Sequence, residues 1–217
     1  MTQQPRPGRR KTTTYVAMGL VAAGALTATA YAAQWFEGVW NGRPYPVAAP
    51  ASTAQRLDAR TQAVYDALAL PHGALDENWA GGGMDATGYS CHPVGLRHFF
   101  DNLSDTPPSE PHVVDVHDNW AVKGVALAEA VTAVERARVA LTHQGWKVTE
   151  YEHTSSRLVL RLTAPDSSDA VGIEAYPEDR LQVFTTAECA RYPEGTPLDS
   201  AGDPQLAAPQ APSTLRH

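Results

Sequence analysis

Arg157-Leu158-Val159-Leu160-Arg161-Leu162-Thr163 decides the fold. Its leucines fall on alternate positions with Arg157 and Arg161 between them, the pattern of a strand with one face in a core and the other in water. Three similar runs surround it. Trp146 to Tyr151 puts Trp146 and Val148 on one face, Ala170 to Tyr176 puts Val171, Ile173 and Ala175 inward, and Leu181 to Ala187 puts Leu181 and Val183 inward. The connections, residues 153–156, 166–169 and 177–180, are short and polar, so neighbouring strands are expected to be antiparallel hairpins.

A helix is expected just before the strands, over Val125 to His143. Leu127, Val131, Val134 and Leu141 form a stripe at helical spacing, Ala130 and Ala137 flank it, and Gly145 supplies the stop. A sheet with one apolar face needs a cover, and this helix is its natural one. The fold class expected is therefore α+β: a two-layer sandwich of a four-stranded antiparallel meander under one main helix. The segment 112–118 is a candidate fifth strand.

The rest of the chain divides by composition. Residues 1–14 hold Arg6, Arg9, Arg10 and Lys11 and no acid. Removing those four from 17 basic residues leaves 13 against 24 acidic ones, a formal −11 for the remainder. So acidic a body lacks the clustered Lys and Arg that nucleic acid requires. Tyr15 to Phe36 then runs 22 residues without a charge, long enough to span a bilayer. Basic residues before the run and none just after it put the N-terminus in the cytoplasm and the body outside. We read the run as a retained single-span anchor, because it continues into Trp35 and Phe36, and aromatics gather where a span meets water. A signal peptide cut after Ala30-Tyr31-Ala32 is the alternative. Residues 37–51, with Pro44, Pro46 and Pro50, read as an extended tether. Ser52 and Gln55 match a capping box opening a helix that ends near Leu70, before Pro71, with Leu57, Val64 and Leu68 on one face. The folded domain is expected over 52–191. From Tyr192 to His217 five prolines with Ala, Gly and Ser imply disorder.

Cys91 and Cys189 are the only cysteines. In an exported domain an even count points to a disulfide, and one pair leaves one connectivity.

Catalytic motifs are incomplete. Gly88-Tyr89-Ser90 begins a nucleophile elbow, but His92 stands where its second glycine belongs. His92, His98, His112 and His117 lie close in sequence to Asp115 and Asp118. Their spacings match neither a helical His pair nor a Cys-x-x-Cys knuckle, and strand alternation puts His112 and His117 on opposite faces. No metal or cofactor is expected. Ala80 to Met84, with three consecutive glycines, reads as a loop without the Lys-Ser/Thr end of a phosphate loop.

Trp120, the helix, Leu141-Thr142-His143-Gln144-Gly145-Trp146-Lys147-Val148 and a meander closing on Cys189 resemble small exported or membrane-anchored actinobacterial proteins of unassigned function. The likeness covers residues 89–191 and implies no functional residue. Few lysines beside many arginines and a single isoleucine, Ile173, fit a GC-rich lineage. The function expected is a non-enzymatic binding module at the cell envelope. It is held to the membrane by its N-terminal helix, contacts an envelope protein or component, and uses Arg157, Arg161 and Tyr176 as its contact surface. The alternative is an exported hydrolase or metal-dependent enzyme using Ser90 or the four histidines.

Overall fold

The computed structural model describes residues 35–155 and 157–216. The basic head and the apolar run up to residue 34 lie outside the described residues. Among the described residues no helix is long and apolar enough to cross a membrane. The chain forms two compact units, one holding residues up to Pro44 with Pro93–Pro107, the other Tyr45–His92 with Pro108 onward.

The second unit is a mixed helix and antiparallel-sheet fold. Helix α1 spans Pro50–Leu68 and α2 spans Leu127–His143. The strands are β1 (Ala74–Leu75), β2 (Gly83–Thr87), β3 (Val113–Lys123), β4 (Lys147–His153), β5 (Leu158–Thr163), β6 (Ala170–Tyr176), β7 (Arg180–Thr186) and β8 (Ala190–Arg191). The meander β4-β5-β6-β7 continues onto β3, and β1 and β2 pair with the other side of β3. β8 pairs with Val113 and Val114 at the start of β3. The candidate fifth strand is thus the long central one. Asp115, His117, Asp118 and Asn119 interrupt its apolar pattern, which is why sequence periodicity stops it short.

Alternation sets the core. Leu158, Leu160 and Leu162 of β5, Val171 and Ile173 of β6, and Leu181 and Val183 of β7 share one buried cluster with residues of both helices. α1 contributes Val64, Tyr65 and Leu68, so two helices, not one, close this core. The α2 contact also differs from the expected stripe. Leu127 is 45% exposed, while Ala130, Ala133 and Ala137 are buried beside Val134 and Leu141. Alanine occupies the contact because helix axes approach closely only where side chains are small. The α2 stop is as expected: Gly145 has φ 89, its N–H bonds the Thr142 carbonyl, and the Trp146 N–H bonds that of Leu141. That pair of bonds is a Schellman motif, and it delivers Trp146 into the core.

Several boundaries are corrected. α1 starts at Pro50 behind Ala49, with Pro at the first turn and no side-chain cap; the Ser52 hydroxyl donates instead to the Ala49 carbonyl at 2.9 Å. Proline there has no N–H to satisfy and its φ already suits a helix, so the capping box is not formed. Residues 35–41 are helical rather than an extended tether. Pro46 and Ala48 exchange backbone hydrogen bonds with Arg191. Gly83 and Met84, expected in a loop, belong to β2. The segment after Tyr192 differs from the expectation of disorder. Leu206 packs on a second cluster containing Leu57, Ala86, Val114, Val116 and Ala187. Leu215 joins the main core, and the Gln62 amide oxygen accepts from Ser213 N–H at 2.7 Å.

Candidate functional site

The strand residues that alternate with those of the main core cluster share the opposite parity. Register runs Arg161–Gly172–Phe184–Asn119 across β5, β6, β7 and β3, and Tyr176–Arg180–Lys123 across β6, β7 and β3. The Arg161 guanidinium stands 5.3 Å from the centre of the Phe184 ring and bonds Glu150 at 2.9 Å. Arg157, just ahead of β5, pairs with Glu152 at 2.7 Å. These pairs are solvated, so they orient side chains more than they stabilise the fold.

Beside them the loop 76–82 folds over the β3 end of the same face. Trp79 meets Tyr176 edge-on, with centroids 5.1 Å apart. Asp76 pairs with Arg180 at 3.3 Å, and Asn119 links Gln182 to the Gly81 carbonyl. Partial burial and then the Glu174 carboxylate hold the Tyr176 hydroxyl above its ordinary pKa. Arg161 and Tyr176 therefore share the sheet face opposite Leu160, Leu162 and Ile173 of the core cluster, with Arg157 just ahead of it. Phe184 and Trp79 join them there. Strand alternation from Val183 would have flagged Phe184, whereas Trp79 lies on a loop and carries no periodic signal.

The residues of the enzymatic alternative do not assemble a nucleophile and base. The Ser90 hydroxyl donates to Asp115 at 2.9 Å, and His117 Nδ1 stands 4.0 Å from the other Asp115 oxygen. The carboxylate thus sits between the serine and the imidazole, where a triad requires the imidazole between serine and acid. His92 contacts the Pro108 carbonyl at 3.1 Å, His112 lies against the Tyr192 ring, and His98 pairs with Asp101 at 3.3 Å. Among the described residues no group of three His, Cys, Asp or Glu side chains is placed to hold a metal.

A third feature is Asp118, which alternation from Val114 and Val116 puts on the core face. It is 1% exposed. Its Oδ1 accepts from the Trp120 indole at 2.6 Å, and its Oδ2 has no hydrogen bond. Burial raises its pKa. Thr61 and Trp120 oppose that shift, Asp58 adds to it, and His117 opposes it weakly. A groove of about 440 Å³ between α1 and residues 207–211 runs past it, lined also by Gln55, Asp58, Met84 and Arg216. Only the Oδ1 of Asp118 is bonded, and the free oxygen is closed to solvent, so no reacting group reaches it.

The bridge between Cys91 and Cys189 is formed, with Cα atoms 5.8 Å apart. It fastens the link between β7 and β8 to the segment between β2 and β3. In comparisons with known proteins, no family model, no curated protein and no solved structure matches this chain.

Proposed function

We propose that this protein is a membrane-anchored, non-enzymatic binding module displayed outside the cell membrane, where it contacts an envelope protein or component. In this reading residues 15–36 are the anchor. The domain is a two-layer α+β sandwich whose helices cover one sheet face and leave the other for a partner. A lineage among exported actinobacterial proteins is part of the same proposal.

One observation carries the reading. The helix-free face presents Arg161 over Phe184 and Tyr176 against Trp79, an arginine and aromatics whose geometry is already set by neighbours. Arginine and aromatic side chains are the residues that dominate binding energy at protein contacts. Ion pairing and ring packing fix them before a partner arrives, which lowers the ordering cost of association.

The test is retention of envelope fractions by the full chain and by R161E/Y176A. We expect the variant to lose retention while its unfolding temperature stays unchanged. Unchanged retention would remove this face from the account. N-terminal sequencing of the mature protein is expected to begin before the apolar run; a start at Ala33 would replace the anchor with a signal peptide.

A further inference from the structure

Leu96, Phe99, Phe100 and Leu103 recur at i, i+3, i+4 and i+7 along consecutive helical turns. Leu96–His98 and Asp101–Leu103 are 3-10 turns, and Phe99 and Phe100 between them have right-handed helical φ and ψ. In a globular domain such a stripe faces a core. Here all four side chains are exposed, Phe100 at 82%. Polar neighbours are satisfied locally: Arg97 bonds His98, His98 pairs with Asp101, and Asn102 donates to the Pro93 carbonyl.

The same compact unit contains the end of the uncharged run and the residues just after it. Trp35, Phe36 and Trp40 are exposed there, and the rings of Phe36 and Trp40 stack at 6.0 Å. Gly95, at φ 101, lies so near the backbone of Trp40, Asn41 and Gly42 that a Cβ would overlap it. The apolar turns are therefore fastened to the chain only a few residues beyond Phe36. Trp35 and Asn41 are six positions apart, about 9 Å along a helix. An interfacial segment buries its apolar side roughly 5–10 Å into the headgroup boundary, so the distances agree.

We propose that residues 96–103 form a second membrane contact, an interfacial segment whose Leu and Phe stripe enters the outer surface of the bilayer beside the anchor. This rests on the reading of residues 15–36 as an anchor. The lipid surface is the occupant because the uncharged run ends at Phe36 inside this same unit, and exposed Trp35, Phe36 and Trp40 lie at that end of it. Arg97 is the lone cation of the segment, so the contact is apolar and does not require anionic lipid.

The test uses the full chain reconstituted in phosphatidylcholine vesicles, with F100C or L103C carrying an environment-sensitive fluorophore and R157C as the water-facing reference. Cys91 and Cys189 are bonded to each other and take no label. Vesicle flotation is read on the same samples. The expected result is co-flotation, with labels at 100 and 103 quenched by brominated acyl chains and shielded from aqueous iodide, and the label at 157 open to iodide. Co-flotation with all labels open to iodide would overturn the second contact and leave the anchor standing. Failure to float, with all labels open, would overturn both. Labels open in vesicles but shielded in native membranes would identify a protein as the occupant and overturn the lipid assignment.

Discussion

The ring of Phe184 occupies the space that a side chain on Gly172 would need, because the two residues are register partners on β7 and β6. The ring lies across the neighbouring strand instead of standing away from the sheet, and Arg161, the next residue across, covers it. Gly172→Ala should displace the ring and destabilise the fold by about 1–3 kcal/mol, as overpacking does. Adding Phe184→Ala should recover part of that loss, giving a coupling energy of about 0.5–3 kcal/mol in a urea-unfolding double-mutant cycle. Simple additivity would mean that the two sites do not share this space.

The disulfide joins residues 98 apart in sequence. Replacing both cysteines with alanine should cost about 4–5 kcal/mol through the freed entropy of the unfolded chain. Because domains are held by about 5–15 kcal/mol, the variant should unfold at a much lower temperature or fail to accumulate folded. An unfolding temperature within a few degrees of wild type would show that the sheet and helices close the domain without the bridge.

Asp118 sets a pH dependence of definite sign. Its folded pKa is raised, so between its unfolded and folded values the native state holds a proton that the unfolded chain has released. Stability from this group is greatest below the unfolded value and falls as pH rises through that window. Asp118→Asn keeps an acceptor for the Trp120 indole and removes the buried charge. The variant should be more stable than wild type at neutral pH, on the order of 1 kcal/mol, with the gap narrowing toward pH 4. A gap that does not change with pH would contradict this.

The C-terminal segment should matter for stability. Leu215 is 6% exposed in the main core, so Leu215→Ala should cost about 2–4 kcal/mol. A change under about 0.5 kcal/mol, the range of surface substitutions, would place this segment outside the cooperative fold.

The meander, the leucine strand and the α2 stop were legible because alternation and a glycine at a helix end are local signals. Asp118 and its neighbours hid the length of β3, since a buried polar residue reads as a surface one until its partner Trp120 is known. The alanine contact of α2 was hidden for the opposite reason: hydrophobic patterns weight Leu127, but close approach selects Ala133 and Ala137. Prolines after Tyr192 suggested disorder, although proline also suits an extended segment laid along a surface, as Pro209 is against Gly83. For the candidate site, Arg161 and Tyr176 followed from strand parity. Trp79 did not, because a loop residue reaches the sheet only through tertiary contact.

The central claim is that the helix-free face receives a partner. Its most direct test places a photoreactive side chain at Tyr176, on that face, or at Val139, exposed on α2, in the full chain within native membranes. The account predicts a discrete crosslinked species from position 176 that disappears with Arg161→Glu, and none from position 139. Equal crosslinking from both positions, or none from 176 across growth conditions, would contradict it.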